Sequence, residues 1–266
     1  MVLAHVRECV AQIVALMIKS STPTASILSF GDCHVSVGGR LVNPPVNFLR
    51  FLVYVLLEGR GKPVLRRRVG DLIWSDGGSE QASADIRQSL VRVRRFQDDN
   101  DLHLLATDPN MAWLTLSEHI YFDLAEFVEL AANPTPRAWV QMCEIYNGEL
   151  LGSLRAAGEG FEEWLSYKRS ALRYDFVSAI SRAVLPDSPL TAHHRLFCAQ
   201  RLLQVDPYHE GAHRALMYDA AANGQFSSLR QLYEECARRL RNELGVDPDE
   251  ETVRLYQRLI TRAPAN

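Results

Sequence analysis

Residues 79–97 (SEQASADIRQSLVRVRRFQ) carry the most regular pattern in the chain. Ile86, Leu90, Val93 and Gln97 recur at the spacing of one helical face, and three of the four are apolar. At about 100° per residue the opposite side holds Ala84, Gln88, Val91 and Arg95, flanked by Arg92 and Asp85. Arg87 and Arg94 take the other shoulder. Ser79 or Ser83 is placed to cap the start, and no Gly or Pro interrupts the run. One inward seam with four arginines over the exposed sides fits a helix laid in a DNA major groove. A solvated basic face is the competing reading.

The flanking residues set this helix in an order. Residues 27–41 (ILSFGDCHVSVGGRL) alternate apolar with small or polar positions around Gly31-Asp32 and Gly38-Gly39, predicting short antiparallel strands and a tight Gly-Gly turn. Pro44-Pro45 stops the strand. A helix is predicted over 46–58, with Phe48, Leu49, Leu52, Val53, Leu56 and Leu57 on one broad face and Gly59 as its end. A second is expected over 65–74, with Leu65, Val69, Leu72 and Ile73 inward and Arg66, Arg67 and Arg68 outward. Asp76-Gly77-Gly78 reads as a loop before the basic helix. An acidic break at 98–101 follows it, then strands at 103–106 and 112–116 across a Thr107-Asp108-Pro109-Asn110 turn. Strands, three helices and a hairpin in that order resemble a winged helix of the OmpR type.

Beyond residue 121 the period is helical almost throughout. A short helix at 123–131 precedes the break Asn133-Pro134-Thr135-Pro136, and further helices are predicted at 137–146, 160–185, 190–204, 208–222, 226–243 and 249–262. VDPYHE at 205–210 recurs as VDPDEE at 246–251, a period of 41. Asp followed by Pro is a helix-start signal, so Asp206 and Asp247 are expected to cap, the latter in a box with Glu250. Helix pairs at such a period look like tetratricopeptide-type repeats, which are binding scaffolds.

Charge changes the picture more than composition does. The chain has 266 residues and a formal net charge of −3. Residues 60–95, however, hold nine Lys/Arg against four acids, a local +5 that leaves −8 elsewhere. A basic segment on an acidic body suits a nucleic-acid reader joined to a protein-facing domain. The five cysteines are scattered, without a C-x-x-C or Cys/His cluster, so neither a disulfide framework nor a zinc knuckle is indicated and a reducing cytosol is expected. VAQIVALMI, near the start, is too short to span a membrane and lacks a cleavage pattern. Residues 1–26 are expected to be a poorly ordered or loosely docked extension.

Several longer matches now stand together: LVRVRRF at 90–96, YNGELLGSL at 146–154, Glu163-Trp164 in a long helix, AHRALMYDAAANGQ at 212–225 and RLRNELGVDPDEETVRLYQRL at 239–259. With the winged-helix order they resemble the Streptomyces antibiotic regulatory protein family and its bacterial transcriptional activator domain, over roughly residues 27–260. The resemblance implies a mainly α protein. A winged helix-turn-helix (α+β) at 27–120 would precede an all-α tetratricopeptide-like domain, the bacterial transcriptional activator domain, at 121–266. It implies a cytoplasmic, nucleoid-associated activator that dimerises on direct repeats of double-stranded promoter DNA and contacts RNA polymerase, with no membrane role. Larger members add a nucleotide-binding module. No G-x-x-x-x-G-K-[ST] occurs here, which points to the two-domain form without a cofactor. The wing departs from the family: it reads Met111-Ala112-Trp113-Leu114 where a Gly-Tyr-Arg-Leu-like strand is usual, so it brings no arginine to a phosphate.

HEGAH at 209–213 matches the zincin signature H-E-x-x-H. Its context argues against zinc. It lies behind a Pro that opens a repeat helix, Glu210 is the counterpart of Glu251, Gly211 weakens the helix, and downstream only Glu234 and Glu235 offer a third ligand, at no recognisable spacing. An exposed repeat helix is expected instead. His193 and His194 are adjacent and face different ways. Asp123 with Glu126, and Asp247 with Asp249, read as caps, and Trp74, Trp113, Trp139 and Trp164 as core aromatics. No catalytic constellation remains, so no enzyme is expected.

The DNA-binding set read from the chain is Arg67, Arg68, Arg87, Gln88, Arg92, Arg94 and Arg95. Gln88 is placed for an adenine edge, Arg92 for guanine or phosphate, and Arg67, Arg68 and Arg95 for phosphate. The alternative is an adaptor whose winged helix has lost DNA and whose repeats bind a protein.

Overall fold

The computed structural model describes residues 23–74 and 79–262, with the side chains of 79–83 left out. Most of the N-terminal extension, Cys9, the Asp76-Gly77-Gly78 loop and the Ser79 and Ser83 side chains thus lie outside the described residues. Two compact units emerge: one from the chain up to Glu126 with Leu150–Trp164, the other from Phe127–Glu149 with Leu165–Asn266.

In the first unit, β1 (Ala25–Leu28), β2 (His34–Val37) and β3 (Arg40–Val42) form an antiparallel meander. Gly38 and Gly39 both take positive φ, 55° and 76°, the left-handed conformations that glycine adopts without steric cost. On its other edge β1 pairs in parallel with β7 (Ile120–Phe122), giving the order β3-β2-β1-β7. A three-residue strand leaves no alternation to read, so this partner was not expected. Asp123 follows β7 and opens α4 (Asp123–Ala132). Its buried carboxylate accepts from Leu124 N–H at 2.7 Å, and also from Ser29 N–H at 2.7 Å, Ser29 O–H at 2.6 Å and Phe30 N–H at 3.0 Å. The cap therefore also locks the end of β1. Burial pushes this carboxyl's pKa up, opposed by the donors.

Helix α1 (Phe48–Gly59) is buried from Phe48 through Val55. Its end lies one residue beyond the expected stop: Gly59 is helical, and Arg60 takes the left-handed turn with φ 47°. Helix α2 (Arg66–Ile73) buries Val69 and Ile73 but not Leu65, which is 46% exposed. Leu65 belongs instead to β4 (Val64–Leu65), paired with β6 (Met111–Leu114), where strand alternation replaces the helical spacing that placed it inward. Helix α3 (Ser79–Asp99) runs into the acidic stretch expected to break it. β5 (Leu105–Thr107) completes a second sheet, order β4-β6-β5, whose β5–β6 hairpin is the wing.

Leu150–Trp164 packs back on this unit. Leu151 N–H donates to Ser29 O at 2.7 Å, Gly158 N–H to Ile73 O at 3.2 Å, and the Trp164 indole to Glu58 at 2.9 Å. All four tryptophans, expected in the core, are half-buried. For Trp164 the reason is its N–H end, which reaches Glu58, whereas the Trp139 N–H is buried without a partner.

The second unit contains α5 (Pro136–Ile145), α7 (Ala192–Val205), α8 (Glu210–Ala222), α9 (Phe226–Arg239) and α10 (Glu250–Ile260), with most of α6 (Glu159–Ala183). Helix α8 packs against α7, α9 and α10 over a core of Met217, Ala220, Leu229, Leu255 and Leu259. Tyr233 stacks on Tyr256 at 4.0 Å. The repeat's caps differ from expectation. Asp206 ends α7 and its side chain accepts from Tyr208 N–H at 3.2 Å, while His209 caps α8 by accepting from Ala212 N–H. Asp247 pairs with Arg241 at 2.6 Å, and Asp249 holds the N-cap position of α10 without a side-chain bond. Pro207 and Pro248 leave longer turns than a Pro at the first helical position would. The two copies instead clasp one another. Glu210 accepts from Asp249 N–H at 3.0 and 2.9 Å, and Arg214 reaches Thr252 and Glu251, both at 2.9 Å.

HEGAH is not the exposed helix expected: His213 is 4% exposed. Its Nε2 lies 3.1 Å from Pro207 O, and the His209 Nε2 lies 2.7 Å from Ser181 Oγ. A Cβ on Gly211 would sit 3.0 Å from the His209 ring, so glycine lets that ring fold over the first turn. His209 is thus spent between the α8 cap and Ser181, while His213 holds the Pro207 carbonyl through Nε2 and buries Nδ1 without a hydrogen-bond partner.

Candidate nucleic-acid interface

Helix α3 is held from three sides. Toward α2, Ile86 meets Gly70, where a Cβ would lie 3.0 Å from Ile86 Cδ1, so the two helices approach as only glycine permits. Toward α1, Phe96 packs edge-on against Phe48 at 5.1 Å, and Asn47 donates to Ser89 Oγ at 3.3 Å. Toward the wing, the buried Gln97 amide donates to Leu105 O at 2.9 Å and accepts from Leu104 and Leu105 N–H at 3.1 and 2.7 Å. Gln97 sits on the apolar seam because its amide continues the pairing of β5.

What remains outward is an arc of side chains. Arg87, Gln88, Arg92, Arg94 and Arg95 are all exposed, as are Arg67 and Arg68 on α2. Arg67, Arg87 and Arg66 line one open cleft of about 470 Å³ between α2, α3 and the wing turn, with Asp71 and Asn110. Arg94 leans on the wing, donating to Thr107 Oγ1 at 3.4 Å, and Arg67 lies 3.8 Å from Asp71. Asp85 is half-buried on the shoulder of α3.

The wing carries no arginine of its own, yet a cation stands at its tip. Arg66 donates from its guanidinium to Asp108 O at 2.9 Å and from its backbone to Asn110 O at 2.9 Å. Asp108 in turn accepts from Asn110 and Met111 N–H, each at 2.7 Å, which closes the turn and holds its carboxyl below the usual range. Arg66 was not in the expected DNA-binding set. Nothing local marks it apart from Arg67 and Arg68; its role comes from β4, which brings the start of α2 to β6.

These elements present a basic face that includes the cleft between α2, α3 and the wing turn. Among the described residues no cluster of His, Cys, Asp and Glu is arranged to hold a metal. Among them, too, no helix is long and apolar enough to cross a membrane.

Residues 128–260 match the family described as the bacterial transcriptional activator domain. Over 258 residues the chain is 26% identical to the regulatory protein AfsR of Streptomyces griseus, covering 89% of this chain and 25% of that protein. It is 24% identical to the transcriptional regulatory protein MoaR1 of Mycobacterium tuberculosis, covering 81% of this chain and 72% of the relative. Among solved structures, EmbR of Mycobacterium tuberculosis in complex with a low-affinity phosphopeptide superposes with a TM-score of 0.63 at 19% identity. That match covers 92% of this chain and 67% of the other, and shows a shared fold.

Proposed function

The chain belongs to the family of the bacterial transcriptional activator domain, the Streptomyces antibiotic regulatory proteins, and from that premise we propose that it is an activator that reads promoter DNA with α3. It is a member of a family of transcriptional regulators. The observation that carries the finer reading is the exposed arc of α3, with Gln88 among four arginines on a helix fixed from three sides. A rigid helix projecting amide and guanidinium groups matches the donor and acceptor edges of the major groove. Arg67 and Arg68, beside it on α2, supply phosphate contacts, and Arg66 gives the wing tip the cation its own strand lacks.

The second unit, built of stacked helices, is the surface for protein partners: a second copy of the chain on adjacent DNA repeats, and RNA polymerase. A cytoplasmic, nucleoid-associated protein without catalytic activity follows from that division of labour. In the adaptor alternative the same arc merely solvates the surface.

Selection of duplexes from a random-core pool by the full-length protein tests the reading. A defined sequence preference is expected, and Gln88→Ala should relax it at one position at a cost of about 1–3 kcal/mol. Recovery of no preferred sequence, or an unchanged preference in the variant, contradicts the assignment.

A further inference from the structure

The arc on α3 contains one residue that neither phosphate binding nor solubility explains. Val91 is 66% exposed, whereas Ile86, Leu90 and Val93 around it are buried. At about 100° per residue the outward side runs from Arg94 through Arg87, Val91, Ala84, Arg95 and Gln88 to Arg92. Val91 therefore lies inside the arc, with guanidinium groups on both sides, and not at its border with the core. A β-branched side chain gains nothing from this position in an isolated chain. It has a lower helix propensity than the Arg, Gln and Ala beside it, and its methyls face water.

Resting on the reading of α3 as the groove helix, we propose that Val91 is a specificity-determining residue that contacts the 5-methyl group of a thymine. The surrounding cations dictate what covers this patch, because a polyanion is the partner that brings Arg87, Arg92 and Arg95 into contact with their surroundings together. In the major groove the one apolar group offered by any base is the thymine methyl. Val91 and Gln88 are three residues apart on the same side of the helix, so a methyl and a hydrogen-bonding edge are read from neighbouring base pairs. The recognised sequence thus contains an obligatory thymine close to the base read by Gln88.

Replacing thymine by deoxyuridine removes that methyl alone and leaves every Watson–Crick edge intact. The test takes the duplex selected by the full-length wild-type protein and substitutes each thymine singly. Wild-type protein should lose about fourfold in affinity at one thymine, the magnitude of one buried methyl. Val91→Ala should bind the thymine and deoxyuridine duplexes alike at that position and keep its sensitivity to the Gln88 base. Because Val91 is exposed, the variant's unchanged thermal midpoint certifies its fold. Indifference of the wild type to every substitution, or the same fourfold loss in Val91→Ala, overturns the proposal while leaving DNA binding standing. If selection recovers no duplex, the groove reading falls and the proposal with it.

Discussion

The guanidinium of Arg50 in α1 donates to the main-chain carbonyl of Arg155 at 2.5 Å, across 105 residues of sequence. Its other arm donates to Asn47 Oδ1 at 2.6 Å, the side chain whose amide reaches Ser89 on α3, and the charge stands 6.0 Å over the Phe161 ring. Arg50 is 4% exposed, and burial draws its pKa down. The planar fork serves two oxygens at once, which a lysine ammonium cannot match geometrically. Arg50→Leu removes both charged hydrogen bonds and the ring contact and leaves two part-buried acceptors unpaired, so the first unit should lose about 1–3 kcal/mol. Arg50→Lys should recover only part of it. Denaturant midpoints read both, and a loss below about 1 kcal/mol for Arg50→Leu contradicts this role.

That relationship also bears on where the chain can be cut. A fragment ending at residue 120 keeps α1, α2 and α3 but removes the Arg155 carbonyl, Phe161 and the Trp164 indole that engages Glu58. It should unfold at lower denaturant than the first unit does in the full chain. Equal midpoints would show that Leu150–Trp164 adds nothing.

Gln97 makes three hydrogen bonds to the backbone of Leu104 and Leu105. Gln97→Ala strands two N–H groups and a carbonyl between α3 and β5, and about 2–4 kcal/mol of stability should go with them. Gln97→Glu should fare no better, since a carboxylate cannot donate to Leu105 O and its charge would be buried. Thermal unfolding of both variants checks this. A midpoint unchanged in Gln97→Ala would mean that water replaces the amide.

Gln97 also marks the boundary of what the sequence discloses. Ile86, Leu90 and Val93 announce the core side of α3 because periodicity is a local property, and the Gly38-Gly39 turn is legible because positive φ selects glycine. Features made by distant strands were not legible. Leu65 looks like a core residue until β6 is found beside it, and Arg66 looks like its neighbours until the wing tip reaches it. Asp206 and Asp247 carry a genuine cap signal, but His209 caps α8 in place of Asp206, and Arg241 draws Asp247 into an ion pair while Asp249 takes the N-cap position of α10, through contacts the local sequence does not specify. The exposed arginines of α3 follow directly from the pattern. Which base each meets does not, because that depends on the partner.

The HEGAH histidines predict an acid sensitivity. Burial lowers the pKa of both His209 and His213, and for His213 the Pro207 carbonyl and nearby Glu235 and Glu210 oppose that shift while Arg239 adds to it. The native state therefore resists protons that the unfolded chain binds below about pH 6.5. Stability should be flat above that pH and fall below it as far as the depressed native values. His213→Gln should start less stable at pH 8, because a buried ring is lost, and show a shallower decline between pH 6.5 and 5. An identical decline in the variant would assign the acid sensitivity elsewhere.

The most direct test of DNA reading by α3 is the salt dependence of binding. Each phosphate contact contributes about 0.9 to the slope of log K against log salt, irrespective of sequence. With the selected duplex, single Ala replacements of Arg67, Arg68 and Arg95 should each lower the magnitude of the wild-type slope by about one, and weaken binding to unrelated duplexes by the same factor. A wild-type slope near zero, or slopes unchanged in all three variants, would mean that these arginines only solvate the surface and that α3 does not enter the groove.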